Sequence, residues 1–251
     1  MLIDVHCHID DKSFDNDREE VLGRASNVVV LNAGVDPSSN RKTLEITDKY
    51  RNVKACLGLH PEFIANFSEY VIGKEITWIS SQAKRIVAIS EIGLDYYWVK
   101  DEEQREKQRI LFRRMLALAD DLGLPVIVHS RDAPKDTLSI LREFPRLKVV
   151  LHGFSEPDNM GYFVSVAPNI CRNKMKQRQV AVLPMEVLLT ETDSPLLGID
   201  PKERNEPRNV LQVVKKISEL RDMSAEAAIA AISRNAKNLF PSWWDYNDDP
   251  R

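Results

Sequence analysis

Leu2-Ile-Asp-Val5, followed at once by His6-Cys-His8, is the first of eight short apolar runs, and the way these runs recur decides the fold. The others are Val28–Asn32, Val53–Leu57, Ile86–Ser90, Val126–Val128, Val149–Leu151, Phe163–Val166 and Val187–Thr190. Each leads into a longer stretch with helical spacing or a polar loop, the pattern of repeated strand–helix units with a parallel sheet. Their near-continuous hydrophobicity suits strands buried on both faces, inside a barrel and beneath its helices. Helices are expected over Asp17–Ser26, Pro37–Arg51, Tyr70–Lys84, Asp101–Leu122, Ala133–Phe144 and Pro207–Leu220, several opened by Asp or Pro as caps would predict. In Asp101–Leu122 the apolar Leu111, Met115, Leu118 and Leu122 fall at helical spacing, and Gly123 stops the helix before Pro125. Asn169–Gln179, polar and basic without an apolar stripe, is expected as a mobile or substrate-facing loop. Ser224–Leu239 reads as an extra C-terminal helix and Trp243–Arg251 as a tail. The expectation is an α/β protein, a single (β/α)8 TIM barrel with an extra C-terminal helix, one domain over residues 1–251. Such a barrel needs about 250 residues.

Composition limits the function classes. Hydrophobic residues at 43% and charged residues at 29% are ordinary for a globular protein and carry no disorder signature. Thirty-five basic against thirty-eight acidic side chains leave a net charge of −3, so the surface as a whole is no polyanion trap. The three cysteines, Cys7, Cys56 and Cys171, form no CxxC pair, which argues against a disulfide framework or a cysteine-built zinc site and fits a reducing cytosol. The opening MLIDVHCHID lacks a signal peptide's apolar run, and no segment reaches the roughly 18 apolar residues of a membrane span. A soluble, cytoplasmic protein with no membrane partner is expected.

The five histidines point to the chemistry. His6 and His8 follow the first strand, His60 the third, His129 the fifth and His152 the sixth, all at the rim where barrel enzymes carry their active sites. One histidine alone would be a structural residue more often than a ligand; five on one rim are not a chance placement. Glu91 after strand four and Asp193 after strand eight join them. Imidazole and carboxylate without thiolate suit Zn, Mn or Mg. Side chains at i and i+2 of an extended strand share a side, so His6 and His8 can face one ion while Cys7 turns away to pack. Strands eight and one are neighbours in a closed barrel, which brings Asp193 to the His6/His8 pair, while His129 and His152 sit on adjacent strands. Glu91 could then bridge two ions roughly 3.5–4 Å apart.

The motifs Asp4-Val-His6-Cys-His8, Gly58-Leu-His60-Pro61, Ser90-Glu91-Ile-Gly93-Leu-Asp95, His129-Ser-Arg131, His152-Gly-Phe-Ser155, Thr192-Asp193-Ser-Pro195 and Asn235-Ala-Lys-Asn-Leu-Phe-Pro241 resemble those of the TatD family of metal-dependent deoxyribonucleases nearly end to end. The resemblance implies a TIM barrel with two divalent ions, one among His6, His8, Glu91 and Asp193, the other among Glu91, His129 and His152. It also implies that His60 faces the substrate phosphate. Two departures bear on substrate preference: Glu156 stands where the family usually has Gly, and Ala167-Pro-Asn-Ile-Cys171 replaces its Phe-Ser-Gly-Pro-like turn.

On this reading a water shared by two ions ionises near neutral pH and attacks phosphorus without a covalent intermediate. Glu91 and Asp193 are the candidate catalytic residues. Whether Asp193 also takes the water's proton or serves only as a ligand stays open. His60, Arg131 and Asp95 are candidate substrate-binding residues. Phosphate binding by Arg131 stands ahead of a rim ion pair, and Asp95 could instead accept a hydrogen bond from a ligating histidine. For Tyr96, Tyr97 and Trp98, packing stands ahead of base stacking. The basic residues Arg172, Lys174, Lys176 and Arg178 could track a nucleic-acid backbone, although a solvated helix face is the commoner meaning of such a run. Few excess cations suit an enzyme gripping a chain end, so exonuclease action on single-stranded or frayed DNA is expected, with DNA or another phosphodiester as partner. Two other classes remain: an amidohydrolase, lactonase or aminoacyl-ester hydrolase on the same site, and a non-catalytic binding barrel.

Overall fold

Eight parallel strands in the order β1 to β8 form the sheet of the computed structural model, which describes residues 1–153 and 161–240. The strands are β1 Leu2–Cys7, β2 Val28–Ala33, β3 Val53–Leu57, β4 Ile86–Asp95, β5 Val126–Arg131, β6 Val149–Leu151, β7 Phe163–Val166 and β8 Leu188–Thr190. Helices α1 Arg18–Arg24, α2 Pro37–Lys49, α3 Glu69–Ser81, α4 Glu102–Leu122, α5 Pro134–Leu141, α6 Lys174–Val182, α7 Val210–Leu220 and α8 Ala225–Leu239 cover its outside. This is a nearly closed (β/α)8 barrel.

Its seam, between β8 and β1, is joined by the Asp193 N–H to the His6 carbonyl at 2.9 Å and the His8 N–H to the Ser194 carbonyl at 2.8 Å. Buried Asp4 reinforces it by accepting from the Thr192 amide at 2.8 Å. Among the described residues every strand but β6 is followed by a helix, and β8 is followed by two, so α8 packs against α7, β8 and β1.

The helices obey their termini. Asp36 caps α2 with a reciprocal Ser39 contact, with Pro37 next in line, and Asp101 caps α4 by accepting from the Gln104 amide at 2.9 Å. Gly123 ends α4 in the left-handed region at φ 65°.

Two expectations need correction. Strands β4 and β5 run past Ser90 and Val128, because the pairing continues as Gly93 opposite His129, Leu94 opposite Ser130 and Asp95 opposite Arg131. Glu91 and His129 therefore sit within strands and inherit their rigidity. The segment Asn169–Gln179 is not a loop: a 3-10 turn at Pro168–Cys171 leads into α6, whose first amides, Met175 and Lys176, donate to the Asn173 side chain. The helix has no apolar stripe because its inner face is short, with Val180 and Gln177 buried and the Gln177 amide donating to the Ile170 carbonyl at 2.7 Å. Glu156 and the tail Trp243–Arg251 lie outside the described residues.

The close approach of β4 to β5 depends on Gly93, whose φ is +142° and where an added Cβ would stand 1.9 Å from the His129 carbonyl oxygen. Gly93→Ala is expected to lower the unfolding free energy by about 2–5 kcal/mol, from strain plus overlap. Gly73→Ala, inside α3 with its nearest neighbour atom 3.9 Å away, is expected to raise it by about 0.5–1 kcal/mol. Urea unfolding of the two variants reads both signs.

Candidate metal centre

Glu91 leaves β4 pointing into the barrel mouth, 4% exposed, and its two oxygens face different partners. Oε2 lies 3.6 Å from His6 Nε2 and 3.4 Å from His8 Nε2, while Oε1 lies 2.9 Å from His129 Nδ1 and 3.3 Å from His152 Nε2. Asp193 Oδ1 meets the first pair from the β8 side, 3.7 Å from His6 and 3.5 Å from His8. The structure thus brings all six residues expected as ligands to one mouth, with His6, His8 and Asp193 near one Glu91 oxygen and His129 and His152 near the other.

Backbone placement explains this convergence. Gly58 makes room for the bend of β4, since a Cβ there would lie 2.5 Å from the Ser90 carbonyl carbon. The buried Asn40 side chain of α2 holds Gly58 by donating to its carbonyl at 2.9 Å and accepting from its amide at 3.2 Å. Asp193 sits in the left-handed region at φ 53°, a turn that Asp tolerates better than most residues, and Asn205 fixes it by donating to the Thr192 carbonyl at 2.8 Å.

The ring orientations follow from a second layer of partners. His8 Nδ1 donates to the Ala33 carbonyl at 2.8 Å, His129 Nε2 to Asp95 Oδ2 at 3.0 Å, and His152 Nδ1 to Glu191 Oε2 at 3.2 Å. Each bond keeps a proton on one ring nitrogen and turns the other toward Glu91, where it carries a lone pair only once the ring is neutral. His60 is set the opposite way. Its Nδ1 accepts from the Glu62 amide at 3.2 Å, which puts the proton of the neutral ring on Nε2, 3.6 Å from Glu91 Oε1. A ring so held presents a donor N–H toward the mouth.

Charge and burial compete throughout. Burial would raise the Glu91 carboxyl, but the fields of His60 and His6 and hydrogen bonds from His129 and His152 hold it well below the usual carboxylate range. Burial also opposes charge on His8, yet its contact with Asp193 and the charges of Glu91 and Asp193 push it up to about 10. His152 is raised by Glu191 and Glu91, and His129 by Asp95 and Glu91, both against burial. Burial carries His60 down to about 3, and burial with the neighbouring His152 lowers His6.

His6 supplies the test of whether a metal fits. It is fully buried, stacked on His152 with ring centroids 4.0 Å apart, and neither ring nitrogen has a hydrogen-bond partner among the described residues. An orphaned imidazole beside two carboxylates and two other imidazoles matches a cation's requirement, and the nitrogen–oxygen donor set matches Zn, Mn or Mg. The candidate donors form three groups, His6/His8/Asp193, His6/Glu91/His152 and His60/Glu91/His129, each with its atoms within 4.8 Å of one another.

A family model described as TatD related DNase matches residues 3–241. The chain belongs to this family. The human deoxyribonuclease TATDN3 is 36% identical over 259 residues, covering 96% of this chain and 94% of that protein. YabD of Bacillus subtilis (strain 168), an uncharacterized metal-dependent hydrolase, is 34% identical over 260 residues, 96% of this chain and 99% of its own length. The crystal structure of the TatD homolog YJJV from Escherichia coli K12 superposes with a TM-score of 0.87 at 30% identity, covering 96% of this chain and 98% of that one. This TatD-family chain is a metal-dependent hydrolase. Among its described residues no helix is long and apolar enough to cross a membrane.

Of the residues expected at the substrate, Asp95 is buried and bonded to His129, whereas Arg131 is exposed on the rim. Two side chains take positions beside the site that the sequence did not assign them, Glu191 and Lys176. Glu191, fully buried, accepts from His152, from the Gly153 amide at 2.8 Å and from Ser165 Oγ at 2.5 Å, so it joins the β6, β7 and β8 ends behind one candidate ligand. Lys176 turns inward from α6 and donates to the Gly153 carbonyl at 2.9 Å, unlike Arg172, Lys174 and Arg178, which stay exposed. Glu191 directly precedes the Thr192-Asp193 motif, which was the one available signal; the basic run containing Lys176 carried none that set this residue apart from the other three.

Two outcomes are expected. With His8 raised to about 10, loading Mg, Mn or Zn near pH 7 must displace its proton, so metal affinity should fall as pH drops. Titration calorimetry in buffers of different ionisation enthalpy should register net proton release. Glu191→Gln should weaken metal affinity about 10–100-fold while leaving the fold intact. An unchanged titration curve would mean that Glu191 is only structural.

Proposed function

We propose that this TatD-family hydrolase is a divalent-metal-dependent deoxyribonuclease acting as an exonuclease on single-stranded or frayed DNA ends. Two ions would be held in the mouth, one by His6, His8, Glu91 and Asp193 and the other by Glu91, His129 and His152. The observation that carries this reading is the division of Glu91, one oxygen toward each group of imidazoles, as a bridging carboxylate requires. The deoxyribonuclease name of the human relative supports the substrate class.

Bound divalent ions supply Lewis acidity toward a phosphoryl oxygen and lower the pKa of the attacking water. The chain's own groups do the rest. Asp193, facing His6 and His8 at the mouth, orients the water and takes its proton as the new P–O bond forms. The bond to the 3′- or 5′-oxygen breaks, and that oxygen leaves with a proton returned from Asp193 or solvent. His60 donates a hydrogen bond from its Nε2–H to a non-bridging phosphate oxygen, and Arg131 holds a neighbouring phosphate by charge. Asp95 and Glu191 keep His129 and His152 turned toward the centre. With a net charge of −3 the protein has few cations to spare, which suits a grip on a few nucleotides at an end.

The test is a time course on end-labelled single-stranded DNA, with Mg, Mn or Zn returned to chelator-treated protein, beside Asp193→Asn. Shortening in single-nucleotide steps is expected, with turnover reduced at least about 100-fold in the variant. Intact DNA in a protein that still binds about two metals per chain would overturn the nuclease reading and direct the search to amide, lactone and ester substrates.

A further inference from the structure

Tyr96, Tyr97 and Trp98 follow one another just past Asp95, yet they part company in the structure. Tyr96 is buried, and its hydroxyl donates to Asp136 Oδ2 at 2.6 Å and accepts from Arg109 at 2.9 Å. Tyr97 and Trp98 are 43% and 58% exposed, so the packing expected for all three holds only for the first. Side chains of this size are mostly buried when they serve packing alone.

Both exposed rings are held in place. One oxygen of Asp95 accepts from the Tyr97 and Trp98 amides, each at 2.9 Å, while its other oxygen holds His129. The rings meet edge to face with centroids 4.8 Å apart. Arg131, placed opposite Asp95 by the β4–β5 register, lays its guanidinium 3.8 Å from the Tyr97 centroid and 5.6 Å from that of Trp98. Lys100 adds a second cation 5.5 Å from the Tyr97 ring. Among the described residues Arg131 enters no ion pair, so its charge is left for a ligand. A rigid, half-exposed aromatic pair flanked by cations, tied through one carboxylate to a candidate metal ligand, fits a planar π-system attached to an anionic chain.

We infer that Tyr97, Trp98 and Arg131 form a nucleobase-stacking subsite on the β4–β5 side of the mouth, taking an unpaired base of the DNA strand whose phosphate reaches the metal centre. The subsite rests on the deoxyribonuclease reading. It also supplies a reason for single-strand preference, because a base inside a duplex has both faces covered by its neighbours and presents none to Trp98.

The experiment compares two oligonucleotides of equal length, one normal and one with abasic residues at the end being processed, in wild-type protein, Trp98→Ala and Trp98→Phe. Binding is measured by fluorescence anisotropy with metals chelated, and KM and kcat by initial rates with metal restored. The expected result is roughly tenfold weaker binding and higher KM for the abasic strand in wild type, a similar loss for Trp98→Ala on the normal strand, and recovery in Trp98→Phe. The two losses should not add, since base and indole are partners in one contact, and kcat should change little. Cleavage with no base preference, or losses that add fully, would overturn the subsite and spare the nuclease reading. Base-dependent binding without cleavage would keep the subsite and overturn the nuclease reading; absence of both binding and cleavage would overturn both.

Discussion

A buried carboxylate ringed by five imidazoles is the constraint around which the barrel mouth is built. Glu91 cannot remain ionised at 4% exposure without partners, because an unpaired charge removed from water costs several kcal/mol. The histidines of β1, β3, β5 and β6 provide that compensation, and they reach Glu91 only because eight strands converge on one rim. The same convergence makes repulsion: imidazoles this close cannot all carry protons, so the cluster divides into raised and lowered members. Cations in the mouth would resolve this competition by replacing protons with a fixed positive charge.

Orientation is decided one layer further out. A backbone carbonyl behind His8 and carboxylates behind His129 and His152 hold a proton on the outer ring nitrogen and aim the inner one at Glu91, as a lone pair once the ring is neutral. A backbone amide behind His60 does the reverse. Four chemically identical side chains thus acquire different orientations from what stands behind them, and Asp95 extends this control to the exposed aromatic loop. The rigidity of the arrangement comes from strand pairing rather than loop packing, since Glu91 and His129 lie inside β4 and β5 and Gly93 lets those strands close together.

The strand pattern and the candidate ligands were readable in advance because both are local signals. A strand buried on two faces must be almost wholly apolar, so a histidine or carboxylate at its end marks the place where the apolar requirement stops. His6, His8, Glu91, His129, His152 and Asp193 each interrupt or end such a run. Strand ends at Glu91 and His129 were set too early for the same reason: a polar side chain in sequence looks like the end of a strand, whereas the mouth of a barrel gives it polar partners and the pairing carries on.

Glu191, Lys176 and the helix α6 became visible only in three dimensions. Glu191 reads as an ordinary acidic residue until β6 and β7 bring His152, Gly153 and Ser165 against it. Lys176 reads as one of four basic residues until α6 turns it toward the Gly153 carbonyl. The exposure of Tyr97 and Trp98 beside buried Tyr96 is likewise a matter of what packs against them. By itself the sequence determined the barrel, the family and the candidate ligands, because periodicity and strand-end chemistry depend on near neighbours along the chain. Tertiary structure alone decided tautomer, charge state and which aromatics face solvent, because these depend on partners from distant strands.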